Sequence, residues 1–223
     1  MQKVILVLSG LFVALVVVVA TVAALSPRGL IVLDGFGVFW GKVDEGSHVS
    51  PAMVNVDGAT IGGPFELTAH TGERVDAGTV IDRPTLIYFG YTFCPDICPI
   101  DTQIMVDAVD LLDEKGIDVK PVFITIDPER DTPKELSYFA EAVHPKLLAL
   151  TGTKEEIRSA ADAYKVFYQR VDLEESSAEY LMNHTGFTYL MTPEKGITAL
   201  FRRDFPPEQI ANDVEKVLET LGG

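Results

Sequence analysis

Cysteine is scarce in this chain: Cys94 and Cys98 are the only two among 223 residues. A framework of several disulfides is therefore excluded. The two cysteines lie four positions apart, directly after an apolar run at residues 85–89. Two thiolates at this reach can bind one soft metal ion or close one small disulfide. The pattern predicts that the two thiols bind a metal ion or undergo a redox reaction, rather than serve as a structural framework.

Basic residues are also few. The chain has 18 Lys and Arg against 33 Asp and Glu, which gives a net charge of −15 and a pI near 4.6. Nucleic acids and anionic lipid surfaces attract proteins of the opposite charge. The composition therefore argues against both as partners, and it is compatible with a soluble domain that docks on neutral or basic protein faces.

Long apolar runs are absent with one exception, residues 4–25, which contain no charged residue. A helix needs about 20 apolar residues to cross a bilayer, so we expect a single transmembrane helix here. Lys3 and the amino terminus precede it, which predicts that the N-terminus stays in the cytoplasm. The alternative is a cleaved signal peptide, although its apolar region is usually shorter. Both interpretations export the rest of the chain.

The order of segments predicts a bacterial inner-membrane protein with one periplasmic domain. No Arg- and Ser-rich transit peptide precedes the apolar run. Residues 1–25 are the expected anchor or signal sequence, and residues 26–62 are interpreted as a stalk and a lead-in that packs on the domain. Residues 63–223 are long enough for one domain with a full core.

Strand-like and helical patterns alternate through the domain. The predicted strands are residues 85–89, 122–126, 147–150, 187–191 and 197–201. Amphipathic helical patterns separate the first four, and the motifs Thr-Pro-Lys-Glu and Thr-Lys-Glu-Glu at residues 132–135 and 153–156 predict two helix starts. The last two strands read as an antiparallel hairpin before a C-terminal helix. A βαβ half followed by a ββα half predicts an α/β, thioredoxin-like domain with a mixed sheet flanked by helices.

The cysteines lie where the first core strand meets its helix, the edge at which open α/β sheets place their sites. Pro99 is suited to the first turn of a helix, so we expect the regular helix to begin near it. Thiolates at that N-terminus are favoured by the helix dipole. Thioredoxin-type oxidoreductases have two residues between their cysteines. The three-residue spacer changes the ring that a disulfide would close without excluding one.

A metal site needs a further ligand, and four histidines are available: His48, His70, His144 and His184. His184 precedes the predicted strand 187–191, which in this fold runs beside the strand that leads to the cysteines. His184 can be either a ligand or a purely structural residue. Two thiolates and one imidazole suit Cu(I), whereas zinc would need a fourth ligand from an Asp or a water.

The loop at residues 127–133 follows the next strand and should border the same site. Asp127 can hydrogen-bond a ligand or steer its approach. Arg130 can pair with neighbouring carboxylates or contact a partner. Asp131 and Thr132 can equally be turn and cap residues, and for Thr132 this interpretation is the stronger one. Met182 and Met191 are conceivable thioether ligands, but the pattern favours both as core residues.

Three motifs together resemble the Sco/SenC family of membrane-anchored copper proteins that assist cytochrome c oxidase assembly. They are GYTFCPDICP at residues 90–99, DPERDTP at residues 127–133 and NHT at residues 183–185. The resemblance extends from about residue 62 to the C-terminus. It implies a thioredoxin-like domain that binds one copper ion, as Cu(I) with Cu(II) as a second candidate state, through Cys94, Cys98 and His184.

The resemblance also implies a task, which is delivery of copper to the binuclear copper centre of oxidase subunit II. Partners would be that subunit, an upstream copper donor or a periplasmic thiol reductant, and the inner membrane. Asp127 matches an acidic position near the family's copper site. Asn183 departs from the Asp that commonly precedes the histidine, which removes a negative charge beside the site.

Other functions remain open for the same residues. Cys94 and Cys98 can form a redox-active disulfide, and a thiol–disulfide oxidoreductase would need no His184. A thiol peroxidase is disfavoured because no arginine adjoins Cys94, although Thr92 is near. A purely structural disulfide would close only a tiny loop and add little stability. The metallochaperone interpretation is favoured over an enzyme.

Overall fold

The computed structural model describes residues 31–32, 38–39, 50–54, 56, 59–95, 97–173 and 179–222. The chain divides into two compact units, Met1–His48 and Val49–Gly223. In the first unit, β1 (Ile31–Val32) pairs with β2 (Val38–Phe39) in antiparallel fashion. The predicted membrane span at residues 4–25 lies outside the described residues. Among the helices that are described, none is long and apolar enough to cross a membrane.

The second unit is built on one mixed eight-stranded sheet, in the spatial order β3-β12-β11-β6-β7-β8-β4-β5. Its strands are β3 (Met53–Val54), β4 (Glu66–Ala69), β5 (Arg74–Asp76), β6 (Thr85–Gly90), β7 (Lys120–Thr125), β8 (Leu148–Thr151), β11 (Thr188–Thr192) and β12 (Gly196–Phe201). Strands β6, β7 and β8 are parallel, and β11 runs antiparallel to β6. Two further strands, β9 (Tyr168–Asp172) and β10 (Tyr180–His184), form a separate antiparallel hairpin.

Five described helices accompany the sheet: α1 (Ala77–Val80), α2 (Ile97–Glu114), α3 (Pro133–Val143), α4 (Lys154–Ala163) and α5 (Pro207–Gly222). Thr132 caps α3 by accepting a hydrogen bond from the N–H of Glu135, and Pro133 begins the helix. Thr153 and Glu156 form the reciprocal capping box of α4. Both predicted helix starts are therefore confirmed, because side-chain oxygens satisfy N–H groups that a helix start leaves without partners.

The core lies on both faces of the central strands. Every residue of β6 is buried, as is nearly every residue of β7, which explains why both sequences are mainly apolar rather than alternating. Aromatic rings fill the middle, where Phe89 lies 5.4 Å from Tyr164 and 5.8 Å from Tyr189 between ring centroids. These two strands therefore form a rigid base, and the cysteine segment leaves from the carboxyl end of β6.

The five strands predicted from sequence are all present, with ends shifted by at most two residues. The mixed α/β architecture is confirmed. The main sheet also takes its edge strand β3 from residues that precede the predicted domain start at residue 63. Two hairpins, β4–β5 and β9–β10, were not predicted. Strand β9 is mostly exposed and polar, so it lacks the apolar alternation on which strand prediction depends.

Candidate metal centre

The two cysteines occupy the connection between β6 and α2. Cys94 is half-buried before the helix, and Cys98 is buried in its first turn. The helix begins at Ile97, two residues before the predicted start near Pro99. No disulfide joins the thiols. The N–H of Cys98 points at the Sγ of Cys94 at 3.4 Å, so that sulfur lies at the positive end of the helix dipole.

Gly90 lets the first turn of α2 lie close to the sheet. A Cβ at this position would lie 2.8 Å from Tyr88, 3.0 Å from Phe123 and 3.3 Å from the Cβ of Cys98. A side chain here would require the rings of Tyr88 and Phe123, and to a smaller extent Cys98, to shift. The glycine at the end of β6 thus permits the close approach of the buried thiol to the strand.

His184 reaches the cysteines from the other side. Its Nε2 lies 3.2 Å from the Sγ of Cys98. The sequence placed His184 in a loop, whereas it is the last residue of β10. Its Nδ1 lies 3.0 Å from the carbonyl oxygen of Thr185. Because a carbonyl can only accept a hydrogen bond, Nδ1 carries the proton, and Nε2 directs its lone pair at the sulfur.

Burial shifts the pKa values of both Cys98 and His184. It raises the pKa of the Cys98 thiol well above its ordinary value, chiefly by desolvating the thiolate. It lowers the pKa of His184, with a further contribution from the positive charge of Arg203. Without a cation, the pair therefore rests as a thiol and a neutral imidazole. A bound metal ion would supply the positive charge that a buried thiolate requires.

Two tyrosines enclose the imidazole. The rings of Tyr88 and Tyr91 each lie 6.1 Å from His184 in edge-on geometry. The hydroxyl of Tyr88 donates to Asp101 at 2.9 Å, and Arg203 lies 3.2 Å from the same carboxylate. These contacts were not predicted, because the partners are far apart in sequence and no local motif connects them.

A cavity of about 310 Å³ opens beside the pair, and its lining includes Cys94, Met182, Asn183, His184 and Arg203. Cys94 and His184 are thus accessible from one opening. Asn183 is exposed at the edge of the candidate site. Met191 is buried in the core, as its sequence pattern favours.

The donor set fits a soft metal ion, although it is not preassembled. Within the part of the chain that the structure describes, no group of three or more His, Cys, Asp or Glu side chains is arranged to hold a metal ion. Cys98 and His184 already converge, whereas the sulfur of Cys94 is directed at the helix amide. A turn of the Cys94 side chain toward the cavity would complete two sulfurs and one imidazole, a set that suits Cu(I).

The remaining histidines that the structure describes lie elsewhere. The Nδ1 of His70 accepts a hydrogen bond from the N–H of Ala149. His144 follows α3 as its C-cap and lies 3.0 Å from Asp110. His48 lies outside the described residues.

Asp127 lines a second cavity, and neither Asp127 nor Arg130 lines the first. Asp127 is 3% exposed, forms an ion pair with Arg130, and accepts a hydrogen bond from the hydroxyl of Tyr180 at 2.9 Å. Its carboxylate oxygens are therefore engaged by protein groups. The second cavity, of about 390 Å³, shares Met182 with the first as a lining residue.

Asp131 has a larger role than that of a turn residue, which the sequence left open as one alternative. It is fully buried and accepts hydrogen bonds from the N–H and the hydroxyl of Thr92, at 3.0 and 2.5 Å. Thr125 donates to it as well, at 2.5 Å. Asp131 therefore fastens the segment that carries Cys94 to the end of β7.

Comparisons with known proteins show the family to which the chain belongs. Residues 54–219 match the SCO1/SenC family. Protein SenC of Rhodobacter capsulatus is 45% identical over 163 residues, which is 73% of each chain. A crystal structure of Arabidopsis thaliana ScoI with copper bound has 38% identity and a TM-score of 0.68, and the match covers 72% of this chain and 99% of that one.

A third similar structure is that of BsSco, described as a member of the Sco family of cytochrome c oxidase assembly proteins. A disulfide switch was identified in BsSco. BsSco has 26% identity and a TM-score of 0.54, over 71% of this chain and 94% of that one. The sheet order, the paired cysteines and the histidine at the end of β10 occur together in a chain that belongs to the SCO1/SenC family.

Proposed function

We propose that this chain binds one copper ion through Cys94, Cys98 and His184 and delivers it to cytochrome c oxidase during assembly. The observation that carries this proposal is the 3.2 Å contact between the Sγ of Cys98 and the Nε2 of His184. These atoms come from residues 86 positions apart, and the imidazole lone pair faces the sulfur. A soft metal ion needs such a pair of donors.

The exposure of the ligands supports transfer rather than permanent retention. Cys98 is buried, whereas Cys94 and His184 line an open cavity. A partner thiolate or imidazole could approach the ion from that side, so copper would pass by ligand exchange. Low coordination suits Cu(I), and the exchange would then need no change of oxidation state.

We further propose the binuclear copper centre of oxidase subunit II as the recipient, with the domain held in the periplasm by a helix at residues 4–25. Support comes from the apolar run in the sequence and from relatives described as copper-bound or as oxidase assembly proteins. Both thiols must be reduced to bind Cu(I), so the proposal includes a periplasmic thiol reductant as a partner. An upstream copper donor is the other candidate partner, because it would supply the ion.

The test is retention of copper by the full chain, purified in detergent, reduced and loaded with Cu(I) without oxygen. Wild type, Cys94→Ala, Cys98→Ala and His184→Ala are compared against a competing Cu(I) chelator. His144→Ala is the matched control, because His144 lies at a helix end away from the site. We expect one copper per chain in wild type and control, loss in both cysteine variants and weaker retention in His184→Ala.

Equal retention by His184→Ala and wild type would contradict the assigned ligand set. Failure of the wild type to hold copper would contradict the function itself. Transfer is tested separately by mixing the loaded chain with the soluble copper domain of oxidase subunit II. The proposal expects copper to move to that domain faster than free chelated copper enters it.

A second candidate, thiol–disulfide oxidoreductase, is favoured by one observation. The Sγ of Cys94 accepts the N–H of Cys98 at the start of α2, where thiolates are stabilised and become nucleophilic. Cys98 is the buried partner that would resolve a mixed disulfide. His184→Ala discriminates the two functions, because a reductase would retain its rate with a disulfide substrate, whereas copper binding would weaken.

A further inference from the structure

The two segments that carry the candidate ligands belong to different parts of the fold. Cys94 and Cys98 follow β6 of the main sheet, and we call residues 91–98 the cysteine loop. His184 ends the β9–β10 hairpin, whose strands pair with each other rather than with the main sheet. Whatever fastens this hairpin to the cysteine loop therefore decides whether His184 meets Cys98.

Arg130, in the loop after β7, holds one side of the hairpin. Its guanidinium carbon lies 3.7 Å from the ring centroid of Tyr180, the first residue of β10. Its Nη1 also donates to the backbone carbonyl of Tyr180 at 3.1 Å. Stacking and the hydrogen bond together fix both the side chain and the backbone of Tyr180, from which β10 runs to His184.

The same guanidinium faces the cysteine loop. It lies 4.6 Å from the ring centroid of Phe93, the neighbour of Cys94, and 5.8 Å from that of Tyr91. Tyr91 in turn lies edge-on to the imidazole of His184. Arg130 thus contacts both segments at once, with only 20% of its side chain exposed.

Asp127 sets the orientation of this arginine. Its buried carboxylate binds the Nε of Arg130 and accepts a hydrogen bond from the hydroxyl of Tyr180. A planar guanidinium held at its Nε has little freedom to rotate, so its faces stay directed at the aromatic rings. A lysine would keep the positive charge but would lose the flat face and the fork of donors.

We propose that Arg130 is a positioning residue that couples the histidine hairpin to the cysteine loop and so sets the geometry of the copper site. The inference rests on the proposed copper-binding function. In this role Arg130 acts through Tyr180 on one side and through Phe93 and Tyr91 on the other. Outer residues that orient metal ligands typically change metal affinity by about 10- to 100-fold when they are replaced.

Two other arginines provide matched controls. Arg170 stacks on Tyr180 at 3.7 Å, the same distance as Arg130, but it belongs to β9 of the hairpin itself. Its link to the loop after β7 is an exposed 3.8 Å ion pair with Glu129, whose charge a lysine would preserve. Arg158 of α4 lies 4.0 Å from the ring of Tyr168, which pairs with His184, so it fastens the hairpin to the body at another point. Arg130 differs from both because it also faces Phe93 and Tyr91.

The experiment compares Arg130→Lys, Arg158→Lys and Arg170→Lys in the full chain, each alone and combined with His184→Ala. We expect Arg130→Lys to weaken Cu(I) binding about 10- to 100-fold in the presence of His184 and to cause no further loss when His184 is absent. Arg170→Lys should bind as wild type does. Unchanged affinity in Arg130→Lys, or an equal loss with and without His184, would overturn the proposal.

A measurement without copper separates this inference from the function on which it rests. Amide hydrogen exchange should become faster in both β10 and the cysteine loop of Arg130→Lys, in the hairpin alone for Arg158→Lys, and in neither for Arg170→Lys. An increase confined to one segment in Arg130→Lys would overturn the coupling, even if copper binds. If the wild type retains no copper, the proposed function fails, and the exchange pattern still decides whether Arg130 joins the two segments.

Discussion

Asp131 and Thr92 are joined by two hydrogen bonds that connect the ends of neighbouring strands. The N–H and the hydroxyl of Thr92, just after β6, both donate to the Asp131 carboxylate in the loop after β7. Thr125 donates to the same group. The start of the cysteine loop is therefore fastened by a buried carboxylate, for which the sequence had left a turn role open.

Replacement of Asp131 by alanine should destabilise the protein markedly. Three donors would lose a charged acceptor in a buried setting, and we expect the free energy of unfolding to fall by roughly 3 kcal/mol. Urea unfolding measures this value. Asp131→Asn is the matched control, since it keeps one oxygen acceptor and should cost less. A loss within about 0.5 kcal/mol, as for an ordinary surface residue, would contradict the assigned role.

His184 should titrate below the ordinary histidine pKa of 6.5, because burial lowers its pKa. The unfolded chain then binds more protons than the folded one as pH falls through 6.5, so folding stability is lost in that direction. NMR titration of the imidazole in the reduced, copper-free chain measures the pKa. His184→Gln removes this contribution, so the stability of the wild type relative to this variant should fall as the pH is lowered through 6.5. A midpoint at or above 6.5 would be incompatible with a buried neutral imidazole.

Gly90→Ala should displace the buried thiol. Its new methyl group would lie 2.8 Å from Tyr88 and 3.3 Å from the Cβ of Cys98, closer than ordinary contact. Overpacking of this kind typically costs about 1–3 kcal/mol, and copper retention should fall as well because Cys98 shifts away from His184. Thermal unfolding and chelator competition test both effects. Gly222→Ala meets no atom within 4 Å and should leave both values unchanged.

Asp82, far from the candidate site, should make the free energy of unfolding depend on pH in the acid range. Hydrogen bonds from Arg83, and then from Lys120, lower the pKa of its carboxyl to about 2 from 3.8. A carboxyl with a depressed folded-state pKa stabilises the protein above its unfolded pKa and loses that effect as pH falls toward 2. The stability difference between wild type and Asp82→Asn should therefore narrow between about pH 4 and pH 2.

Salt provides the control for Asp82, because its side chain is 45% exposed. Screening should shrink the difference at neutral pH when ionic strength is raised. Urea unfolding at several pH values and two salt concentrations would show this. A difference independent of both pH and salt would mean that the ion pairs of Asp82 contribute nothing to stability.

Much of the fold could be predicted from local patterns. Strands β6, β7 and β8 have mainly apolar sequences, and the starts of α3 and α4 carry capping residues whose hydrogen bonds reach only three positions along the chain. Such signals can be recognised in a single sequence because the residues that produce them are close neighbours along the chain. Strand β9 carries no such signal, since its exposed polar residues are held by pairing with β10.

The sequence alone determined that two thiols lie four residues apart at the carboxyl end of an apolar strand, next to a helix start. That is a local property, because a strand end and a helix N-terminus depend on neighbouring residues. Only the tertiary structure decided that His184 directs its Nε2 at Cys98, and that Asp131 and Arg130 hold the cysteine loop. These contacts depend on which strands pair and in which register, and sequence periodicity says nothing of pairing between residues 86 positions apart.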